Sequence, residues 1–294
     1  MNKKKIQQMI EAHRAWLQDE TQGCRADFSR ANLMGANLHK VDLRKAVFTG
    51  ANLTGATLDE ALLDGAFMAY VNLTGASLCE AQLEDAELVG AIGADAKFAH
   101  AHLNTAKFDS ARLSAAVLRA VTAVGASFRG THLLGAEAVA GNFQEANFTT
   151  ASLQGSDFRR SSFYGASFTR ARLDGVNLSM AGLPEIEGCP RKGEFRAYKK
   201  VCGGYILELL IPEDAKRTGS LIGKKCRASK AKVVGVARAF SGVDVPPMFR
   251  SLHDAEFFYR VGETVSVDDF DPDIRVECTR GIHFFMTRIE AENY

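Results

Sequence analysis

From Ala26 to Leu183 the chain repeats every five residues without a break. A large apolar residue marks the centre of each unit: Phe28, Leu33, Leu38, Leu43, Phe48 and onward to Leu178 and Leu183. Of the 32 centres, eighteen are Leu and ten are Phe, so one face of the chain is apolar throughout. Two residues before each centre stands a small residue, mostly Ala, with Val41, Val71, Val121 and Val176 the bulkiest. On an extended chain, side chains two apart point the same way, so the small residue and the centre share a face. The neighbours of the centre, such as Asn52 and Thr54, then point outward. Five is odd, and a straight strand would turn the apolar set over at each unit. The chain must therefore turn once per unit. The turn falls at the fifth position, often glycine (Gly35, Gly50, Gly55, Gly65, Gly75), which accepts the backbone angles of corners.

A longer period lies inside the first. Every fourth centre gives Phe28, Phe48, Met68, Leu88, Phe108, Phe128, Phe148 and Phe168, six of them Phe. Only four Phe occupy the other 24 centres, so like residues recur every twenty. Four units per coil give about eight coils, a rod of roughly 38 Å at strand spacing. The units Ala31-Asn32-Leu33-Met34-Gly35 and Ala51-Asn52-Leu53-Thr54-Gly55 resemble the pentapeptide-repeat family. That resemblance implies a right-handed quadrilateral β-helix. It does not imply one function, because the family is functionally mixed and a fold does not name a job.

The centres Gly93, Ala123 and Ala138 withdraw volume from the interior. The expectation is local slack filled by Ile92, Val124 or Val139, with a bend or notch as the alternative. The open end of such a stack exposes ladder edges and apolar interior, and repeat arrays need caps. Ile6, Met9, Ile10, His13, Trp16 and Leu17 form one face of a helix over 3–19, expected to lid the first coil with Trp16 over Phe28. The predicted organisation is a capping segment 1–25, a β-helix 26–183, a linker 184–190 and a small, mostly-β (α+β) domain 191–294. The fold class is mainly β.

Net charge is +1, which gives no global attraction to nucleic acid or anionic membrane. No apolar run is long enough for a membrane span, and Gln7, Gln8, Glu11, His13 and Arg14 interrupt any signal-peptide core. The six cysteines are scattered without a CxxC pair, so a reduced, cytoplasmic setting is expected, with no metal and no cofactor.

Beyond the linker at Gly188-Cys189-Pro190, strands are predicted at Tyr205–Ile211, Lys232–Val236, Glu256–Arg260 and Ile282–Phe285, with a short helix or turn at Pro212–Ala215. Segments such as Ile211-Pro212-Glu213-Asp214-Ala215-Lys216-Arg217 and Glu277-Cys278-Thr279-Arg280-Gly281-Ile282-His283 resemble an uncharacterised domain that follows pentapeptide repeats in phage and bacterial proteins. The resemblance carries no established activity. Residues 191–232 hold twelve Lys/Arg against four acids, and residues 233–294 hold six against eleven. Lys224, Lys225, Arg227, Lys230 and Lys232 form the densest basic cluster, a candidate contact for nucleic acid or phosphate. The favoured reading is that the two halves neutralise each other inside one fold. Cys226, Cys278 and His283 could supply a thiolate with a base, or metal ligands. Cys278 and His283 are five apart and, on one strand, would face opposite ways, so buried structural thiols are favoured.

Two ideas concern the outside of the coil. Some pentapeptide-repeat proteins are DNA mimics that bind topoisomerases, and a mimic needs dense negative charge. Acids do cluster (Asp59, Glu60, Asp64, Glu80, Glu84, Asp85, Glu87, Asp95), but the later coils are basic, so a mimic could use only the first half. The outward apolar residues Val47, Leu62, Phe67 and Tyr70 offer a protein contact surface. The expected function is a non-enzymatic interaction protein, with a second copy of the chain among the candidate partners. The alternatives are a modulator of a type II topoisomerase, or a terminal domain that binds nucleic acid or phosphate or has a Cys-dependent activity.

Overall fold

A computed structural model describes residues 1–184, 188–238 and 245–294. It is mainly β, and the chain divides into two compact units, Met1–Glu185 and Ile186–Tyr294. Of the expected linker, residues 185–187 lie outside the described residues.

The first unit opens with α1 (Lys3–Gln18), where Asn2 caps the helix by accepting from the Lys5 N–H at 2.9 Å. Ile10 and His13 are its buried side chains, the middle of the apolar face read from the sequence. At Gly23 (φ 70°) an added Cβ would lie 2.2 Å from the Ala12 carbonyl oxygen, so only glycine fits. The Cys24 N–H donates to that oxygen at 3.2 Å, and the Ala26 N–H donates to His13 Nδ1 at 3.1 Å. The helix is thereby bonded to the first repeat. Trp16 stacks on His13, centroids 5.5 Å apart.

From Asp27 onward, every fifth residue makes a parallel bridge to the residue twenty further on, through to Ser162 with Gly182. The bonds run from coil to coil: Phe28 N–H to Val47 O at 2.7 Å, Val47 N–H to Ala26 O at 2.9 Å. The centres are buried, Phe28 and Phe48 at 0% exposure, except the last two, Leu178 and Leu183, which are half-buried. Rings twenty apart stack face to face, at 5.1 Å for Phe28–Phe48, 5.2 Å for Phe108–Phe128, 5.0 Å for Phe128–Phe148 and 5.2 Å for Phe148–Phe168. Each fifth residue from Arg30 to Met180 has φ between 53° and 73°, and 19 of these 31 corners are not glycine. The corner is thus imposed by the ladder on either side of it and does not depend on glycine.

The expectation that Ile92 fills the gap at Gly93 is overturned. Ile92 is 40% exposed and lies in an outward column between Asn72 and Arg112. The gap is closed from the coils on either side: a Cβ on Gly93 would lie 2.9 Å from Leu113 Cδ2 and 3.7 Å from Leu73 Cβ.

The second unit holds three antiparallel sheets among the described residues. Its elements are β1 (Phe195–Lys200), β2 (Ile206–Ile211), β3 (Arg217–Thr218), β4 (Cys226–Ala228), β5 (Lys230–Arg238), β6 (Phe249–Arg250), β7 (Phe258–Tyr259), β8 (Thr264–Ser266), β9 (Ile282–Phe284) and α2 (Arg288–Asn293). The sheet orders are β1-β2-β5-β8, β3-β4-β9 and β6-β7. A bridge from Tyr198 to Phe285 ties the edge of the first sheet to the end of β9. Leu207, Leu209, Val233, Phe249, Tyr259 and Phe284 form the core. Pro212–Ala215 is a turn, closed by the Ala215 N–H to Pro212 O bond at 3.0 Å. Thr287 and Glu290 form a capping box on α2.

Candidate functional site

On the first unit, Phe67 sits in the outward column Asp27–Val47–Phe67–Glu87 and is 38% exposed. The Arg25 guanidinium lies over its ring, 5.4 Å from the centroid. Tyr70 is a corner residue (φ 57°) and 67% exposed. Its ring rests on the next coil at Gly90, where a Cβ would approach the ring to 2.7 Å, so the glycine lets the ring lie down on the wall. Val47 is half-buried beside Phe67, and Leu62 lies in the preceding column between Asp42 and Gln82. Several nearby acids are engaged from coil to coil. Asp59 accepts from the Cys79 N–H at 2.9 Å and Asp64 from the Glu84 N–H at 2.9 Å. Glu60 pairs with Lys40 at 3.1 Å and Glu87 with Lys107 at 3.2 Å.

In the second unit the five basic residues are not gathered on one exposed face, contrary to the candidate contact read from their spacing. Lys225 and Arg227 are buried, at 1% and 0% exposure. For Arg227 the cause is topological: β4 is the central strand of β3-β4-β9, and all three of its residues are interior, with Lys225 immediately before them. Arg227 spends its donors on backbone carbonyls, reaching Asp271 O at 3.2 Å, Asp273 O at 2.6 Å, Glu277 O at 3.2 Å and Val276 O. It thereby holds 271–277 in place, with burial depressing its pKa. Lys224 pairs with Glu290 at 3.1 Å, across the two halves, whereas Lys230 pairs with Asp214 inside the basic half. Lys232 is exposed on β5.

Cys278 and His283 do not share a strand, because β9 begins at Ile282. Cys226 is buried as expected, but Cys278 is exposed, in an irregular segment ahead of β9. The Lys225 ammonium donates to Cys278 Sγ at 3.1 Å and lies 3.7 Å from the centroid of the Tyr294 ring. His283 Nε2 is 2.7 Å from the Thr279 carbonyl oxygen. Burial, reinforced by Lys199 and Lys225, pushes the His283 pKa down to about 4, so the ring is neutral near pH 7. No group of ligands able to hold a metal occurs among the described residues.

Around His283 lie residues that spacing alone did not single out. Lys199 on β1 is 6% exposed, and its ammonium donates to the His283 carbonyl oxygen at 3.1 Å. It also lies 5.3 Å from the centroid of the Tyr259 ring. Burial, with Lys225 adding repulsion, pushes its pKa down to about 8. His253 lies 3.0 Å from the Tyr294 hydroxyl, its pKa lowered by burial first and then by Lys225 and Lys199. A signal for Lys199 exists in the sequence: Phe195, Ala197, Lys199 and Val201 alternate on one strand face, which puts the lysine on the apolar side.

Two family models match the chain. Residues 25–65, 58–92, 96–135 and 142–179 match pentapeptide repeats (8 copies), and residues 187–291 match a family of unknown function (DUF5758). Among solved structures the chain is similar to HetL, a pentapeptide repeat protein involved in heterocyst differentiation regulation from the cyanobacterium Nostoc sp. strain PCC 7120. Identity is 24%, over 56% of this chain and 88% of that one, with a TM-score of 0.35. QnrB1, a plasmid-mediated fluoroquinolone resistance protein, matches at 15% identity over 54% of this chain and 89% of its own, with a TM-score of 0.42. A second pentapeptide repeat protein from Nostoc matches at 30% identity over 40% and 77%, with a TM-score of 0.21. No curated protein matches the chain.

Proposed function

We propose, from a chain whose residues 25–179 belong to the pentapeptide repeats and whose residues 187–291 belong to the DUF5758 family, that this is a non-enzymatic protein-interaction protein of the cytoplasm. In this reading 26–183 is a right-handed, four-sided β-helix of eight coils, and 1–25 caps its first coil. Residues 184–190 link it to an accessory contact domain, 191–294. The contact surface is the column face with Phe67 and Tyr70, and the partner is a protein, a second copy of the chain included.

One observation carries this reading. Phe67 and Tyr70 are exposed on a wall whose backbone is fixed by ladder bonds above and below, with Arg25 over the Phe67 ring. Exposed aromatics with an arginine on a rigid support are the composition of binding hot spots. A photo-crosslinking residue at Tyr70 is expected to give a discrete adduct in the native host, and Phe67→Ala should remove it. The same residue at Arg112, on another face, should give none. Equal labelling at both positions would sink the proposal. Sedimentation of the purified chain shows whether the adduct is a second copy.

The acidic cluster favours a second reading, modulation of a type II topoisomerase through the first coils. An ordinary supercoiling assay tests it, and no effect at micromolar protein removes it.

A further inference from the structure

In the second unit a cleft of about 240 Å³ opens beside β1 and β9. Lys199, His253, Phe257, Tyr259, Thr279 and His283 are among the residues lining it. A second, smaller cleft shares Lys199, His253 and His283 and adds Lys225 and Tyr294. Two ammonium groups therefore stand in the interior of one small fold. Among the described residues neither is in an ion pair: Lys199 has a backbone carbonyl and an aromatic face, Lys225 a thiol and an aromatic face. Of the carboxylates lining the larger cleft, Asp269 pairs with Arg280 at 3.3 Å and Asp254 accepts from the Glu256 N–H at 2.9 Å.

Buried charge without a counter-charge is costly, and a fold retains it where it has a use. Hydrophobic residues of similar volume would have filled both places at lower cost. The charged lining of the cleft is Lys199 and Arg280 against Asp254 and Asp269, and with Arg280 committed to Asp269 the Lys199 ammonium is the cation left to a ligand; the pKa values of the two histidines are lowered by burial first and by the nearby lysines after it. Phe257 and Tyr259 give it an apolar wall. At about 240 Å³ it is smaller than the roughly 300–1,000 Å³ of drug-sized sites, which caps the ligand at a small molecule.

We propose that this cleft binds a small organic oxyanion, a carboxylate or a phosphate monoester. The oxygens of the ligand take the Lys199 ammonium, and its body lies against Phe257 and Tyr259. This goes beyond the protein-contact reading and uses none of its residues.

The test uses the full chain, titrated calorimetrically with benzoate, phenyl phosphate and inorganic phosphate. Saturable binding of at least one organic anion is expected, and the first two probes distinguish carboxylate from phosphate ester. Lys199→Met should weaken it at least about tenfold, the worth of one charged hydrogen bond. Lys192→Met, exposed ahead of β1, should leave it unchanged. In the unmutated chain the ring signals of His253 and His283 should shift saturably with the same probe. No saturable binding at ~10 mM of any probe, weaker than about −3 kcal/mol, overturns the proposal. So does undiminished binding by Lys199→Met. A Lys199→Met chain that loses its fold would assign the amine a structural role and overturn it as well.

Discussion

Nineteen corner residues with side chains hold the left-handed conformation, which costs an L-residue roughly 1–2 kcal/mol relative to the right-handed one. Gly55 isolates that term, because nothing lies within 4 Å of an added Cβ. Gly55→Ala should lower stability by about 1 kcal/mol, and Ala115→Gly at the matching φ of 57° should raise it by a similar amount, both read from urea midpoints. His283 makes a prediction of the other kind. Its folded pKa is about 4, below the unfolded 6.5, so the unfolded state takes up the proton first as pH falls. Stability should decline as pH drops from about 6.5 to about 4 and level off below, and His283→Asn should flatten this part of the profile. Single residues were also where sequence reading was weakest. The spacing of Lys225 and Arg227 offers a contact for nucleic acid or phosphate, and nothing local shows their burial, because β4 is three residues long and interior at every one of them, with no alternation to read.

The element that organises the first unit is the column, one residue from each coil. Phe128 is held between Phe108 and Phe148 with both rings stacked on it. Phe128→Ala should cost about 3–5 kcal/mol, the range for a fully buried aromatic, as the neighbouring rings cannot close the gap without leaving their own coils. Columns were legible in advance because their period is strict: stacking of Phe28 on Phe48 and of Phe148 on Phe168 follows from counting by twenty. The second unit offered no such period. β2 and β5 have runs long enough to read, whereas β3, β6 and β7 are two residues each and α2 is six. Arg227 links β4 to the irregular segment 271–277. Arg227→Met should leave several carbonyls without donors and raise hydrogen exchange across 268–281 before the sheet itself opens.

At the scale of the whole molecule, the first unit is one-dimensional: each coil touches only its neighbours, and the pairing rule is the same from Asp27 to Gly182. Removing residues 101–120 should therefore give a chain that still folds cooperatively, with a urea m-value reduced in proportion to the lost surface. Removing only 101–103 should disrupt the unit, because every later apolar centre would leave its column. Circular dichroism and the sharpness of the transition distinguish the two. How far the fold could be read in advance follows from this geometry: a rule obeyed at every coil is visible in the letters, while the Lys199 cleft is assembled from β1, β7, β9 and the segments near them, which no local spacing connects.

The corners have a last consequence. A glycine, a lysine or a glutamate in that place leaves the backbone angle the same. The exterior of the coil can accordingly be rewritten one position at a time, in charge, size or polarity, while the tube beneath keeps its shape. Lineages that inherit such a scaffold can change allegiance to a new partner by repainting a wall, with no need to find a new fold.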